Sequence, residues 1–334
     1  MLHFPQTRWA LALYKIKKYR VNMQQPYYID EQCDTARQFI DFLIGNSRFS
    51  TRNIFDAVSC GINDFIFRGQ ADQDWSLLPK LFREGNPLFE YCPQTTGGPL
   101  RGEPSAKSYL GWHLHSELRA VFLFLELADK VGIPTPIDFS NLQEHKALIQ
   151  AALSDQDEDY SAIFPAPSLL NGIALAQHHG VPTRLLDWSE SPLVAAYFAA
   201  ISTSNVVSDG RIESDRISVI FLHAGNSKDK DIDLAIVNAP RHGNTFLRSQ
   251  RGLFTYSPTA NDYFIKHRSW PSLEDLVFTD GKRRGLLGRV TLPTGQATEV
   301  LKLLYDFGIT RLSMMPSLDN AALEFKYIQS LFHL

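Results

Sequence analysis

Leu110, Leu114, Leu118, Val121 and Leu125 recur at spacings of four, four, three and four, which predicts a long amphipathic helix over about Ala106–Val131. Gly132 and Pro134 end it. Helical spacing also marks Asp30–Ile44, which stops at Gly45, and Asp138–Leu153. Pro167 suits the first turn of a helix running to His179, with Gly180 as its left-handed cap. Ser191-Pro192 opens another through Ala200, whose Ala195, Ala196 and Ala199 permit close packing on a sheet. Thr294 starts a helix capped by Gly308, and Ser317 starts the last.

Alternation of apolar and polar residues predicts a short strand at Asp64–Phe67, running into a turn at Arg68-Gly69, and another at Arg184–Trp188. Further strands are expected at Ile217–Leu222, Phe254–Tyr256, Tyr263–His267 and Leu286–Leu292. Gly85–Pro104 and the acidic Ser154–Tyr160 read as loops, and residues 1–29, without periodicity, as an arm. With no internal repeat or low-complexity linker, residues 30–334 are expected to form one α+β domain. Its sheet should be mixed or antiparallel with flanking helices, because strands and helices do not alternate regularly.

Composition narrows the classes. A hydrophobic content of 44% with 22 Phe supplies a core, and a net charge of −3 gives no general attraction to nucleic acid or an anionic membrane. The basic stretch Lys15–Arg20 reads as a solvated face. Cys33, Cys60 and Cys92 are few, odd in number and not at metal-ligand spacing, which fits a reducing, cytoplasmic setting. The longest apolar run, Val121–Leu125, is far short of a membrane span, and Trp9–Tyr14 followed by lysines reverses the charge order of a secretory signal.

The candidate chemistry is concentrated in two places. Phe67-Arg68-Gly69-Gln70 puts a guanidinium at a strand end, where it can hold a phosphate or carboxylate in two parallel bonds, beside a glycine that allows close ligand approach. Gln177 to Ser189 packs Gln177, His178, His179, Thr183, Arg184, Asp187, Trp188 and Ser189 into a helix–turn–strand junction, a usual place for binding sites. Adjacent helical histidines diverge by about 100°, so no metal ion is expected between His178 and His179; one should pack inward and fix the turn while the other faces the cleft. His113 and His115 also lack the four-residue spacing of paired ligands. No nucleophile elbow surrounds Ser189 or Ser191, and no Walker loop is present; Gly281–Gly288 is a basic turn.

These stretches resemble the FRG domain, a family named for its Phe-Arg-Gly motif. Phe67-Arg68-Gly69-Gln70 with Trp75-Ser76-Leu77-Leu78-Pro79 and Phe82-Arg83 is similar to its opening block, and Glu117 and Phe124 to the helix that follows. Gln177 to Ala199 resembles its most diagnostic block. Arg248, Gln250, Gly252, Leu253 and Phe254 resemble a third, and Leu318-Asp319 the C-terminal end, so the likeness spans about Asn63–Leu334.

The chain also resembles mono-ADP-ribosyltransferases, whose first strand ends in Arg or Arg-Gly, whose second ends in serine or threonine before a helix, and whose third carries glutamate. Phe67-Arg68-Gly69, Leu185–Ser189 with Ala195 and Phe198, and Gln250–Phe254 follow that order. The resemblance implies an ADP-ribosyltransferase-like fold and NAD as co-substrate, for a transferase or NAD glycohydrolase of the toxin or phage-defence kind. Arg68, Ser189 and Gln250 would be its catalytic residues, and Arg68, Gly69, Gln177, His178, Thr183, Arg184, Asp187 and Trp188 would bind the cofactor. An acceptor would be protein or nucleic acid. Arg68, Arg184, Asp187, Ser189 and Gln250 should then share one cleft. Gln250 stands where a transferase carries glutamate, so a carboxylate would have to come from Asp187 or Glu324. The rival readings are a non-catalytic nucleotide- or nucleic-acid-binding module of the same fold and, less favoured, a hydrolase using Asp187 and a histidine.

Overall fold

The computed structural model describes residues 29–45, 65–83, 88, 105–137, 147, 167–204, 215–223, 233–238, 244–279, 282–283 and 287–332. The arm before Ile29, the basic stretch Lys15–Arg20, the helix expected at Asp138–Leu153 (apart from residue 147), the loop Ser154–Tyr160, most of Gly85–Pro104, and Cys60 and Cys92 lie outside these residues.

In chain order the described elements are β1 (Ile29–Gln32), α1 (Ala36–Leu43), β2 (Phe65–Gln70), α2 (Ala106–Lys130), α3 (Leu170–His178), β3 (Leu186–Ser189), α4 (Pro192–Ile201), β4 (Arg216–His223) and β5 (Ala235–Val237). They continue with α5 (Thr245–Ser249), β6 (Gly252–Tyr256), α6 (Ala260–His267), α7 (Leu273–Val277), β7 (Phe278–Thr279) and β8 (Lys282–Arg283). The last are β9 (Leu287–Pro293), α8 (Ala297–Asp306), α9 (Arg311–Met314) and α10 (Leu318–Phe332). Seven strands form one sheet in the order β1-β9-β4-β2-β3-β6-β5, while β7 and β8 form a separate hairpin. Every pairing is antiparallel except β1 with β9, so the fold is α+β around a mixed sheet with flanking helices.

Three expectations change. Arg68-Gly69, read as a turn, is strand: β2 runs on through Gln70, with Arg68, Gly69 and Gln70 opposite Ile220, Val219 and Ser218 of β4. The helix predicted over Asp30–Ile44 is interrupted: its first residues form β1, and the helix begins only after Thr35, whose hydroxyl and the Gln38 side chain make a reciprocal capping box. Tyr263–His267, read as a strand, is the second half of α6. Its aromatic run suits either structure, but Phe264 is needed against Tyr109 and Trp270 in the core, and Tyr263 meets His267 one helical turn on.

Strand alternation divides the core. Phe65 and Phe67 of β2 face α1, α4, α8 and α10 on one side of the sheet. Ile66 faces the other side with Trp188, Ile220, Leu222, Leu253 and Leu273. A further cluster joins α2, α3 and α6 at the β6 end, built on the stripe Leu110, Leu114, Leu118, Val121 and Leu125. Seven consecutive residues of β4, Ile217–His223, are buried, as expected of a central strand covered on both faces.

Candidate functional site

Helix α3 ends as its sequence requires. Gly180 takes φ +90°, the Val181 amide returns to the Ala176 carbonyl, and Pro182 prevents further helix. The chain then carries Thr183 and Arg184 through the core and emerges as β3. This path puts Asp187, whose side chain is 52% exposed, beside Arg68 in the second half of β2.

Only Phe67 and Ser189 pair across β2 and β3. Beyond that pair the Arg68 guanidinium bonds to the Asp187 main chain instead: Nη1 donates to the Asp187 carbonyl at 2.8 Å and to its carboxylate at 3.2 Å. The other carboxylate oxygen accepts from Gln177 Nε2 at 2.8 Å. Gln177 Oε1 accepts from the Thr183 hydroxyl at 2.8 Å, and that hydroxyl in turn accepts from the Leu185 amide. The helix-to-strand turn is thus held by Gln177 and Thr183, not by an imidazole as expected. Thr183 is fully buried and orients Gln177 without reaching the surface.

Two more groups face this carboxylate. Arg83 anchors its Nε on the Leu78 carbonyl, and burial, followed by repulsion from Arg68, lowers its pKa against the attraction of Asp187. His178 is half-buried against Phe246; burial and then His179 lower its pKa, while Asp187 raises it. The His178 and His179 rings stand at 83°, and His179 stacks on Phe124 at the surface. Among the described residues no group of three His, Cys, Asp or Glu could hold a metal ion, and no helix is long and apolar enough to cross a membrane.

Ser189 and Gln250 form a separate pair: Ser189 stands opposite Phe67, so strand alternation directs it to the sheet face away from Arg68, and neither it nor Gln250 bonds to Arg68 or Asp187 in the cleft expected to hold all four. Ser189 Oγ donates to the Gln250 carbonyl at 2.7 Å and accepts from the Ser191 amide, and Ser191 caps α4. Gln250 Nε2 donates to the Met314 carbonyl at 3.3 Å. Between Gln250 and β6, Arg251 adopts φ +48°, an uncommon conformation for a non-glycine residue, and its carbonyl accepts the Glu190 amide. Glu324, the alternative carboxylate, accepts from the Leu312 amide in the α9–α10 corner.

Besides Thr183, three residues expected to bind a ligand are placed elsewhere. Arg184 is 1% exposed and bound to Glu117 of α2 through Nε at 3.0 Å and Nη2 at 2.7 Å, while Nη1 donates to Asn261. It therefore does not share a cleft with Asp187, three residues on. Trp188 is buried on the opposite sheet face from Ser189, its Nε1 donating to Thr255 Oγ1 at 2.8 Å, because consecutive strand residues point to opposite faces. Gly69 meets α4, not open space: a Cβ there would lie 1.9 Å from the Ala195 carbonyl oxygen and 2.7 Å from the Ala199 amide.

Sequence reading missed Arg83 as a neighbour of Arg68 although both lie in one motif block. It also missed the Glu117–Arg184 pair. Glu117 falls three residues after Leu114 and four before Val121, so a charge on the core-facing stripe was the available signal.

The same core contains His113, packed against Trp270 at 4.7 Å. Burial, reinforced by Arg184, pushes its pKa down to about 3. The unfolded chain takes up a proton near the ordinary pKa of about 6.5, which the folded chain refuses until about pH 3, so stability falls as pH drops through that window. At pH 5 the expected loss from this group is about 2 kcal/mol relative to pH 7. Urea unfolding at both pH values should show it, and His113→Gln should reduce the difference; an equal difference in the variant would assign it to other groups.

Residues 63–206 match the family model of the FRG domain. Searches of the curated proteins and of the solved structures gave no match. The matched segment holds β2, the Phe82-Arg83 turn, Glu117 on α2, the whole Gln177–Ser189 junction and α4, so the groups around Asp187 all come from it. The chain carries an FRG domain over residues 63–206.

Proposed function

We propose that this site binds an anionic nucleotide and, following the resemblance to mono-ADP-ribosyltransferases, that the nucleotide is NAD, consumed by transfer of ADP-ribose or by hydrolysis. The observation that carries the proposal is Arg68. Its Nη1 is committed to Asp187, but its Nε is buried with no partner among the described residues. A buried donor left unmet costs about 1–3 kcal/mol. A ligand oxyanion on the Nε–Nη2 edge would meet it with two parallel bonds. Arg83 beside it adds positive charge.

The sheet order supports an ADP-ribosyltransferase-like arrangement. The strand carrying Arg68-Gly69, the strand ending in Ser189 and the strand following Gln250 are consecutive neighbours, β2-β3-β6. In the reaction, the bond between ribose C1′ and the nicotinamide nitrogen breaks, and nicotinamide leaves as a neutral ring. Water or an acceptor then bonds to C1′ and loses a proton. Arg68 would hold the pyrophosphate, and Asp187 would supply the carboxylate that stabilises positive charge on the ribose, a task the neutral Gln250 cannot perform. His178 would position the acceptor.

A non-catalytic module is the second reading. It is favoured by Gln250, whose amide is neutral and bonded to Met314, and by Asp187, already paired with Arg68. Nicotinamide release from NAD separates the two. We expect release by the wild-type chain, lost in Arg68→Ala; binding without release supports the module, and absence of nucleotide binding sinks both. Arg68→Lys keeps the charge but not the planar edge, so NAD affinity should fall by about 1–3 kcal/mol. Its melting temperature should barely move, since a pair with a half-exposed carboxylate is worth less than about 1 kcal/mol. A large drop in melting temperature with unchanged affinity would reassign Arg68 to structure.

A further inference from the structure

Among the described residues, the buried atoms Arg68 Nε, Gln70 Oε1 and Ser218 Oγ lack a hydrogen-bond partner, and their residues lie on one face of the neighbouring strands β2 and β4. Gln70 and Ser218 stand directly opposite one another on β2 and β4, so their Cβ atoms share a sheet face about 5 Å apart. Arg68 is two residues back on the same face of β2, about 7 Å along the strand. Gln70 is 3% exposed and Ser218 0%. Thr291, opposite Ser218 on β9, is already engaged as an acceptor from Arg216 Nε. The turn after Gln70 is tied down over the strand ends, with the Gln73 amide on the Arg216 carbonyl and the Gln73 carbonyl on Arg289 Nη1.

Buried amides and hydroxyls are ordinarily satisfied, so two unmet ones at paired positions, with the unmet Arg68 Nε on the same strand, call for a partner. We infer that Gln70 and Ser218 form the floor of a nucleoside-reading subsite, in which they exchange hydrogen bonds with hydroxyl or amide groups of the same ligand whose phosphate Arg68 holds. The inference rests on the proposed nucleotide reading of Arg68. The residue types match the division of labour. A guanidinium edge recognises an anion, whereas an amide and a hydroxyl carry no charge and discriminate neutral donors and acceptors.

Titration calorimetry of the full chain with inorganic pyrophosphate and with ADP-ribose tests this. The wild-type chain should bind ADP-ribose more tightly than pyrophosphate. Gln70→Leu and Ser218→Ala should each weaken ADP-ribose about five- to ten-fold, the worth of a neutral hydrogen bond, while pyrophosphate affinity is unchanged. Both variants remove an unmet buried polar group, so their melting temperatures should hold or rise as affinity falls. A merely structural role would not produce this opposition. Unchanged ADP-ribose affinity in both variants overturns the subsite and leaves Arg68 as a phosphate ligand. Equal weakening of pyrophosphate and ADP-ribose also overturns it. A wild-type chain that binds neither ligand overturns the subsite together with the nucleotide reading.

Discussion

Glu117→Gln is expected to destabilise the protein by about 3–5 kcal/mol, among the largest effects of any single substitution here. Glu117 and Arg184 are 0% and 1% exposed, and the carboxylate takes three guanidinium bonds and the Arg184 amide. Removing the negative charge leaves a guanidinium stranded at the centre of the domain, where Phe82 lies 5.8 Å away and the remaining donor reaches Asn261. The pair also ties α2 to the approach of β3, so its loss should loosen the placement of Asp187. Urea unfolding measures the change. Asp187→Asn provides the contrast, since its carboxylate is half-exposed and its loss should cost less than about 1 kcal/mol. A loss below about 1 kcal/mol for Glu117→Gln would mean that Arg184 finds another partner. The double replacement Glu117→Leu with Arg184→Met should recover much of the loss, because it removes both charges and not one.

Gly69→Ala is the second large effect, with an expected loss of about 3 kcal/mol. The added methyl would meet the Ala195 carbonyl oxygen at 1.9 Å and the Ala199 amide nitrogen at 2.7 Å. Both are backbone atoms of α4, which cannot rotate away as a side chain could, so the whole helix must lift off β2. That displacement would be transmitted to Ser189 through the Ser191 cap at the start of α4. Thermal unfolding reports the loss. If the variant retains wild-type stability and instead loses ligand affinity, Gly69 serves close approach of a ligand, as the motif alone suggested. Normal stability with normal affinity would show that α4 has room to move.

The positions legible without coordinates were those governed by neighbours in sequence. Gly180 had to be left-handed to end α3, Ser191-Pro192 had to start α4, and the apolar stripe of α2 had to face a core, because each depends on residues within one or two helical turns. The motif residues Arg68, Gln177 and Asp187 were likewise visible as polar groups at element ends, and the structure bonds all three together. What the local pattern could not decide was direction and partner. Arg184 and Asp187 are both charged and three residues apart, yet one is in the core on Glu117 and the other at the surface on Arg68. Trp188 and Ser189 are adjacent and point to opposite faces because strand side chains alternate. Gly69 looked like space for a ligand, and α4, more than a hundred residues on, occupies it. Residues 30–32 joined the sheet because β9 offered a free edge, and residues 263–267 became helix because Phe264 had a place beside Tyr109 and Trp270. The amino-acid sequence by itself determined the turns, caps and amphipathic helices, since their energies are local. Only the tertiary structure decided which charges are buried, which glycine is crowded and which polar atoms are left unmet, since those depend on packing between segments far apart in the chain.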